Sequence, residues 1–279
     1  MENINWYPGH MKKTKDLIRS NLKMVDAVIE VIDSRIPVSS RNPIIDELAA
    51  GKPRVLVLNK SDLAEEEETR RWVRKFRQSG IYAAPMNSMT GAGTKQLFSL
   101  FDQMRKEIGE KKRRGVPLRM MIVGIPNSGK SSLINRLTGR KSAKTGDRPG
   151  VTRGKQWLTL KNGMQLLDTP GILWPKFDDP NTGLALAYCG SIREEILDIT
   201  ELAVSFIGYM MKEHPEMLCS RYHLDAVGST AEETLGMIGA KRGFLLAGGR
   251  IDLERAARTV MDEFRSAKIG RLTLEKCPE

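Results

Sequence analysis

The chain has 279 residues, with 45 lysines and arginines against 34 aspartates and glutamates, a net charge of +11. A composition that is 40% hydrophobic and 28% charged excludes a disordered or collagenous chain and allows one large domain or two ordinary ones. Three scattered cysteines (Cys189, Cys219, Cys277) exclude a disulfide framework or a C-x-x-C metal site and read as reduced thiols. The longest apolar run, Leu202 to Met211, is far short of the ~18 residues of a membrane span. With no apolar signal segment at the N-terminus, the expectation is a cytoplasmic protein with no membrane association. The basic excess points to a polyanionic partner.

In chain order, Val25–Asp33 (VDAVIEVID) reads as a buried strand. Asn42-Pro43 opens a short helix to Ala50, with proline suited to the first turn. Arg54–Leu58 is a second strand. Glu65–Gln78 is a helix with an acidic first turn and a basic last turn, matched to the macrodipole. Ile81–Met86 is a strand, and Thr94–Ile108 a helix. A basic linker, 111–115, leads to a strand at Leu118–Val123 and a helix over Gly129–Leu137. Gln156–Leu160 and Met164–Leu167 form a hairpin about Asn162-Gly163. Then the alternation stops, and 181–189, 191–198, 200–213, 231–239 and 252–268 read as helices. This order is an α/β domain over 1–177 followed by an all-α domain over 178–279. Charge divides at the same place. Residues 1–177 hold 33 basic and 17 acidic residues, and 178–279 hold 12 and 17. Within the second part, 178–240 is acidic and 241–279 is basic.

Gly124-Ile125-Pro126-Asn127-Ser128-Gly129-Lys130-Ser131 fits G-x-x-x-x-G-K-[ST] between a strand and a helix. In such a loop, backbone N–H groups converge on phosphate oxygens at a helix N-terminus. Asn127, Ser128, Gly129, Lys130, Ser131 and Ser132 are the phosphate-side candidates, with Lys130 neutralising the β- and γ-phosphates and Ser131 ligating Mg²⁺. Asp168-Thr169-Pro170-Gly171 follows at a strand end. There Asp168 can serve the same Mg²⁺ and the Gly171 N–H can meet the γ-phosphate. Between them, Arg140–Gly154 is a basic, glycine-rich loop in which Thr152, with Thr145 in reserve, can order over the metal.

Asn59-Lys60-Ser61-Asp62 follows the second strand. One carboxylate can accept both guanine N1–H and N2–H, which adenine does not offer, so Asp62 is suited to choose guanine over adenine. Lys60 can lay its stem over the base and Asn59 can brace the loop. Asn87-Ser88-Met89, after the third strand, can present a backbone N–H to guanine O6.

Together these motifs resemble the translation-factor-type P-loop GTPases, in a different order: N-K-S-D and N-S-M precede the phosphate loop, Thr152 and D-T-P-G. The chain therefore looks like a circularly permuted GTPase with a mixed sheet flanked by helices. Trp6-Tyr7-Pro8-Gly9-His10-Met11, Asp33-Ser34-Arg35-Ile36-Pro37, G-I-P-N-S-G-K-S-S and the helical C-terminal part resemble the ribosome biogenesis GTPase A family. The resemblance implies GTP and GDP with Mg²⁺. It also implies slow hydrolysis stimulated by a ribosomal particle, and a role in late maturation of the large ribosomal subunit precursor through contact with its rRNA. The alternatives are a non-switching RNA-binding protein with a vestigial nucleotide site, or a GTPase acting on tRNA. The residue after D-T-P-G is Ile172, which cannot orient water, so His10 becomes the candidate for that task. Asn127 resembles the asparagine that helps hold K⁺ in some related GTPases. The last helix packs Leu253, Ala256, Ala257, Val260, Met261 and Phe264, leaving Arg250, Arg255, Arg258, Arg265, Lys268 and Arg271 for phosphates. The oligomeric state is not legible.

Overall fold

A computed structural model describes residues 16, 18–109, 117–139, 156–169, 179–192 and 198–278. The linker 111–115, the loop 140–154, the aromatic N-terminal motif and the domain junction at Phe177 lie outside the described residues. Six strands form one sheet: β1 (Ala27–Asp33), β2 (Arg54–Asn59), β3 (Tyr82–Pro85), β4 (Arg119–Gly124), β5 (Gln156–Thr159) and β6 (Gln165–Asp168). Their order is β3-β2-β1-β4-β6-β5. All neighbours run parallel except the β5–β6 hairpin.

The two-residue period of β1 builds a core on each face. Ala27, Ile29 and Val31 join Val55, Val57 and Ile122 under α3 (Thr94–Gly109) and α4 (Lys130–Thr138), which contribute Leu97, Phe101, Leu133 and Leu137. Val28 faces the other way with Met121 and Val123, against Ile18 and Leu22 and against Ile45 of α1 (Pro43–Leu48). Ile32, on that same side, packs with Leu56 and Leu58 against Trp72, Val73 and Phe76 of α2 (Glu66–Gln78). Glu30 shares this side and is fully buried, with Arg54 Nη1 3.3 Å from its carboxylate. Burial raises its pKa to about 7, against the lowering charges of Arg54 and Arg41.

Local chemistry sets the element ends. Asn42 caps α1 by accepting from the Ile44 N–H, and Pro43 takes the first turn as expected. The Glu65 carboxylate makes no cap bond at the start of α2. It accepts instead from the Thr273 N–H at 3.2 Å and pairs with Lys276.

Compactness divides the chain into one unit of Met1–Gly183 with Thr273–Glu279, and a second of Leu184–Leu272. The last seven residues, assigned by sequence to the helical domain, thus belong with the α/β unit. Their hydrogen bonds supply the reason. Leu274 N–H donates to Arg35 O at 2.8 Å, and Trp72 Nε1–H donates to Glu275 O at 2.8 Å. Cys277 N–H donates to Glu68 at 2.9 Å, and the Glu275 carboxylate accepts from the N–H groups of Val38 and Ser39. No hydropathy period announces such a strap.

The helices following the sheet are α5 (Pro180–Tyr188), α6 (Ile199–Glu213), α7 (Pro215–Tyr222), α8 (Ala231–Lys241) and α9 (Leu253–Arg265). In the second unit, Phe206 packs on Tyr188 and Phe264 at centroid distances of 5.3 and 4.5 Å. Helix α7 was not anticipated: it is a short helix, started by Pro215 and closed by His223 in a left-handed conformation. Of the expected helix 191–198, residues 191, 192 and 198 are not helical and 193–197 lie outside the described residues. Asp198 instead caps α6, accepting from Thr200 and Glu201 N–H. Leu253, expected in the packed face of α9, sits in the first turn with 41% exposure, while Ala256, Ala257, Val260, Met261 and Phe264 are buried. Arg265 also departs from the expected basic surface, since it donates to the carbonyls of Tyr188 and Ala187. Among the described residues no helix is long and apolar enough to cross a membrane.

Deleting residues 273–279 should destabilise the α/β unit by about 2–4 kcal/mol, because several bonds to charged or buried groups are lost at once. Thermal unfolding followed by circular dichroism measures it; an unchanged midpoint would show the strap to be energetically idle.

Candidate functional site

The carboxyl ends of β1, β2, β3, β4 and β6 lie along one edge of the sheet, where parallel α/β sheets place their ligands. The phosphate loop runs from the end of β4 into α4. Gly124 has φ +150°, and a Cβ there would come within 2.4 Å of Val31 O on β1. Gly129 has φ +90°, and its Cβ would fall 2.2 Å from Asn59 Nδ2. Both glycines of the motif are thus demanded by backbone conformation and by close approach to the base-side elements. Asn127, at φ 56°, takes the left-handed region that asparagine tolerates.

Lys130 is buried, and its ammonium donates to the carbonyls of Gly124 at 3.1 Å and Ile125 at 2.8 Å. Burial lowers its pKa to about 8, while the Asp168 charge works in the opposite direction. Asp168, at the end of β6, is 7% exposed; burial raises its pKa and Lys130 lowers it. Ser131 and Ser132 are half-buried in the first turn of α4. A buried carboxylate with a serine hydroxyl is an oxygen-only donor set, the kind that suits Mg²⁺. Ser128 turns its hydroxyl back to Ile125 O at 2.9 Å, so its side chain braces the loop.

Asn59 joins the halves of the site. Its Nδ2 donates to Ser128 O at 2.8 Å. Its Oδ1 accepts from the Ser88 N–H at 3.1 Å and the Ser88 hydroxyl at 2.7 Å. Of the Asn87, Ser88 and Met89 N–H groups, one of them expected to meet guanine O6, each is engaged within the protein, with Ala92 O, Asn59 Oδ1 and Asn87 Oδ1 respectively. Asn87 Oδ1 accepts from the Met89 and Thr90 N–H groups and shapes the turn. Ser61 N–H donates to Met86 O at 3.1 Å, holding the base-side loop on β3. Asp62 is exposed at that loop, where a ligand can reach its carboxylate.

Two contributors escaped the sequence reading. Arg136 of α4 donates to the carbonyls of Ser88 and Met89, tying the phosphate helix to the N-S-M loop. The Asp33-Ser34-Arg35 turn buttresses the base-side loop: the Ser34 N–H and hydroxyl both donate to Asn59 O, at 2.9 and 2.8 Å. The sequence marks this turn by a charged residue closing an apolar strand and by the D-S-R-I-P segment, but it does not show the bond to Asn59. His10, Thr152 and Gly171 lie outside the described residues.

A strand–glycine loop–helix with a buried lysine, joined through one asparagine to a second loop bearing an exposed carboxylate, defines a P-loop GTPase. Its base-side strand precedes its phosphate strand in the chain, so it is circularly permuted. The comparisons agree. The family described as "50S ribosome-binding GTPase" matches residues 119–217. Ribosome biogenesis GTPase A of Priestia megaterium is 45% identical over 98% of this chain and 96% of its own length. Mitochondrial ribosome-associated GTPase 1 of Mus musculus is 34% identical over 97% of this chain and 90% of its own length. The GNP-bound crystal structure of YlqF from T. maritima superposes with a TM-score of 0.63 at 29% identity, covering 95% of this chain and 98% of that one. The chain belongs to the ribosome biogenesis GTPase A family. It is an enzyme that binds guanine nucleotide and hydrolyses GTP, and its field is ribosome biogenesis.

Lys130 gives a pH prediction. Nucleotide phosphates favour the ammonium, so the bound pKa lies above the free value of about 8. Between the two, binding takes up a proton, and affinity falls by up to about tenfold per pH unit as pH rises. Below about pH 8 the affinity should be flat. Calorimetric titration with GDP in buffers of different ionisation enthalpy reads both affinity and proton uptake; pH-independent affinity well above that value would exclude the coupling.

Proposed function

We propose that this GTPase is an assembly factor for the large ribosomal subunit precursor, promoting its late maturation, with the GTP state favouring association and the GDP state release. The observation that carries the reading is the joining of a phosphate loop and a base-side loop through Asn59 in a chain whose family is described as 50S ribosome-binding and whose relatives are named for ribosome biogenesis. The chain's +11 charge supports a polyanionic partner. In the helical unit, Arg250, Lys268 and Arg271 are exposed and suited to rRNA phosphates. Arg255 lies over Phe244, and Arg258 pairs with Glu254, so both are partly committed within the fold.

The nucleotide would bind with Asp62 accepting from the guanine edge and Lys60 over its face, while Asn59, Ser61, Asn87 and Ser88 hold the two base-side loops in place. Asn127, Ser128, Gly129, Lys130, Ser131 and Ser132 would cradle the phosphates. Ser131, Asp168 and Thr152 would hold Mg²⁺, whose charge offsets that of the phosphates. Asn127 would help hold K⁺, and the Gly171 N–H would meet the γ-phosphate. Ile172 leaves no side chain beside D-T-P-G to orient water. His10 would do so through a ring nitrogen near neutral pH.

Co-sedimentation with large-subunit precursor particles, using a non-hydrolysable GTP analogue against GDP, tests the switch. Stronger association with the analogue, weakening as salt rises, is expected; equal association in both states would end the proposal.

For hydrolysis, His10→Ala should lower particle-stimulated turnover by about 10²-fold or more, with GTP affinity measured separately. Unchanged turnover removes His10 from the mechanism, and equal rates in K⁺ and Na⁺ would remove the Asn127 ion.

A further inference from the structure

The last residue of β1, Asp33, lies in register with Asn59 of β2 and is completely buried. Its Oδ1 accepts from the Arg35 N–H at 3.1 Å and Arg35 Nε at 3.0 Å, and its Oδ2 accepts from Arg35 Nη2 at 2.8 Å. That guanidinium fork already matches the carboxylate's charge. Yet a second cation is present: Lys60 Nζ lies 3.0 Å from the same Oδ2. Burial acts to raise the Asp33 pKa, but Arg35 and Lys60 hold it well below the ordinary carboxylate range.

Lys60 occupies an awkward backbone position, φ 57°, which a lysine adopts only when its surroundings hold it there. Its side chain remains 23% exposed. A lysine stem has four rotatable bonds and in water samples many rotamers. Tethered at both the strained backbone and the ammonium, it is ordered before any nucleotide arrives. The anchor is itself fixed. The Asp33 N–H donates to Ser40 Oγ at 3.0 Å, and Arg35 O accepts from the strap residue Leu274 at 2.8 Å.

We propose that Asp33 is a positioning residue for guanine recognition: it holds the Lys60 ammonium so that the lysine stem forms a preset platform for the face of the base. The carboxylate acts through Lys60 and does not touch the nucleotide. Releasing one such long side chain corresponds to a loss of up to about tenfold in affinity. The inference rests on the reading of Asn59–Asp62 as the base-side loop.

The test is a double-mutant cycle on GDP affinity in the full chain, with Asp33→Asn, Lys60→Met and both together. Each single change should raise Kd by about five- to tenfold, and the double variant should be no weaker than Lys60→Met alone. Inorganic pyrophosphate, which lacks a base, should bind the Asp33→Asn variant as it binds the parent. A purely structural role would weaken both ligands and make the two substitutions multiply. Either that result or an unchanged GDP Kd in Asp33→Asn overturns the proposal. If Asp33→Asn leaves Arg35 uncompensated and the chain does not fold, Asp33→Asn/Arg35→Gln, which removes both charges, takes its place in the cycle. Asp62→Asn separates the underlying reading from this one. An amide there can donate to the C2 carbonyl of xanthine, so preference should move from GDP to XDP. No such move would refute the base-side placement itself. A normal move beside an inert Asp33→Asn would refute only the Asp33 role.

Discussion

The site depends on one residue, Asn59, that bonds in three directions, two through its side chain and one through its backbone carbonyl. Asn59 donates to Ser128 O in the phosphate loop and accepts twice from Ser88 after β3, while its own carbonyl receives two bonds from Ser34. These four loops come from distant parts of the chain. An amide is suited to the position because it offers donors on one side and an acceptor on the other. Buried as it is, each of its bonds would be costly to leave unmade. Gly129 shows how closely the parts fit: any side chain there would enter the space of Asn59 Nδ2. The loop after β2 and the loop after β4 are therefore one mechanical unit.

The same arrangement explains why the chain order of the motifs is immaterial to the chemistry. β1 lies between β2 and β4, so the base-side strand and the phosphate strand are separated by a single strand whichever comes first. Loops at the carboxyl ends of parallel strands converge by geometry, not by sequence distance. The final seven residues return to the α/β unit, where Leu274 fixes the carbonyl of Arg35 and Glu275 caps the turn at Val38 and Ser39. Asp33 ends the strand that leads into that turn, and it pairs with Lys60.

Much of this was legible from residue patterns. The strands announced themselves as β-branched runs, α2 by its charge polarity, and the phosphate loop by two glycines and a lysine at fixed spacing. The misreadings share a cause. Helix α7 is only eight residues long and lies between a proline and a left-handed histidine, so its period never emerges. Leu253 has the right helical phase but stands in the first turn of α9 and remains exposed. Arg265 looked like one more basic surface residue, yet its guanidinium holds two backbone carbonyls. Periodicity tells which face a residue occupies; it does not tell what stands opposite.

By itself the sequence determined the elements, the nucleotide chemistry and the inverted motif order, because glycine conformation, carboxylate acceptors and two-residue alternation are local properties. Tertiary structure alone decided the rest. It set the Asn59 junction, the Arg136 ties to Ser88 and Met89, the return of 273–278 to the sheet domain, and the second cation at Asp33. Each is a contact between residues that are distant in sequence or whose partners are fixed by strand register. Such contacts have no period, and only packing of the sheet brings them within a hydrogen bond's length.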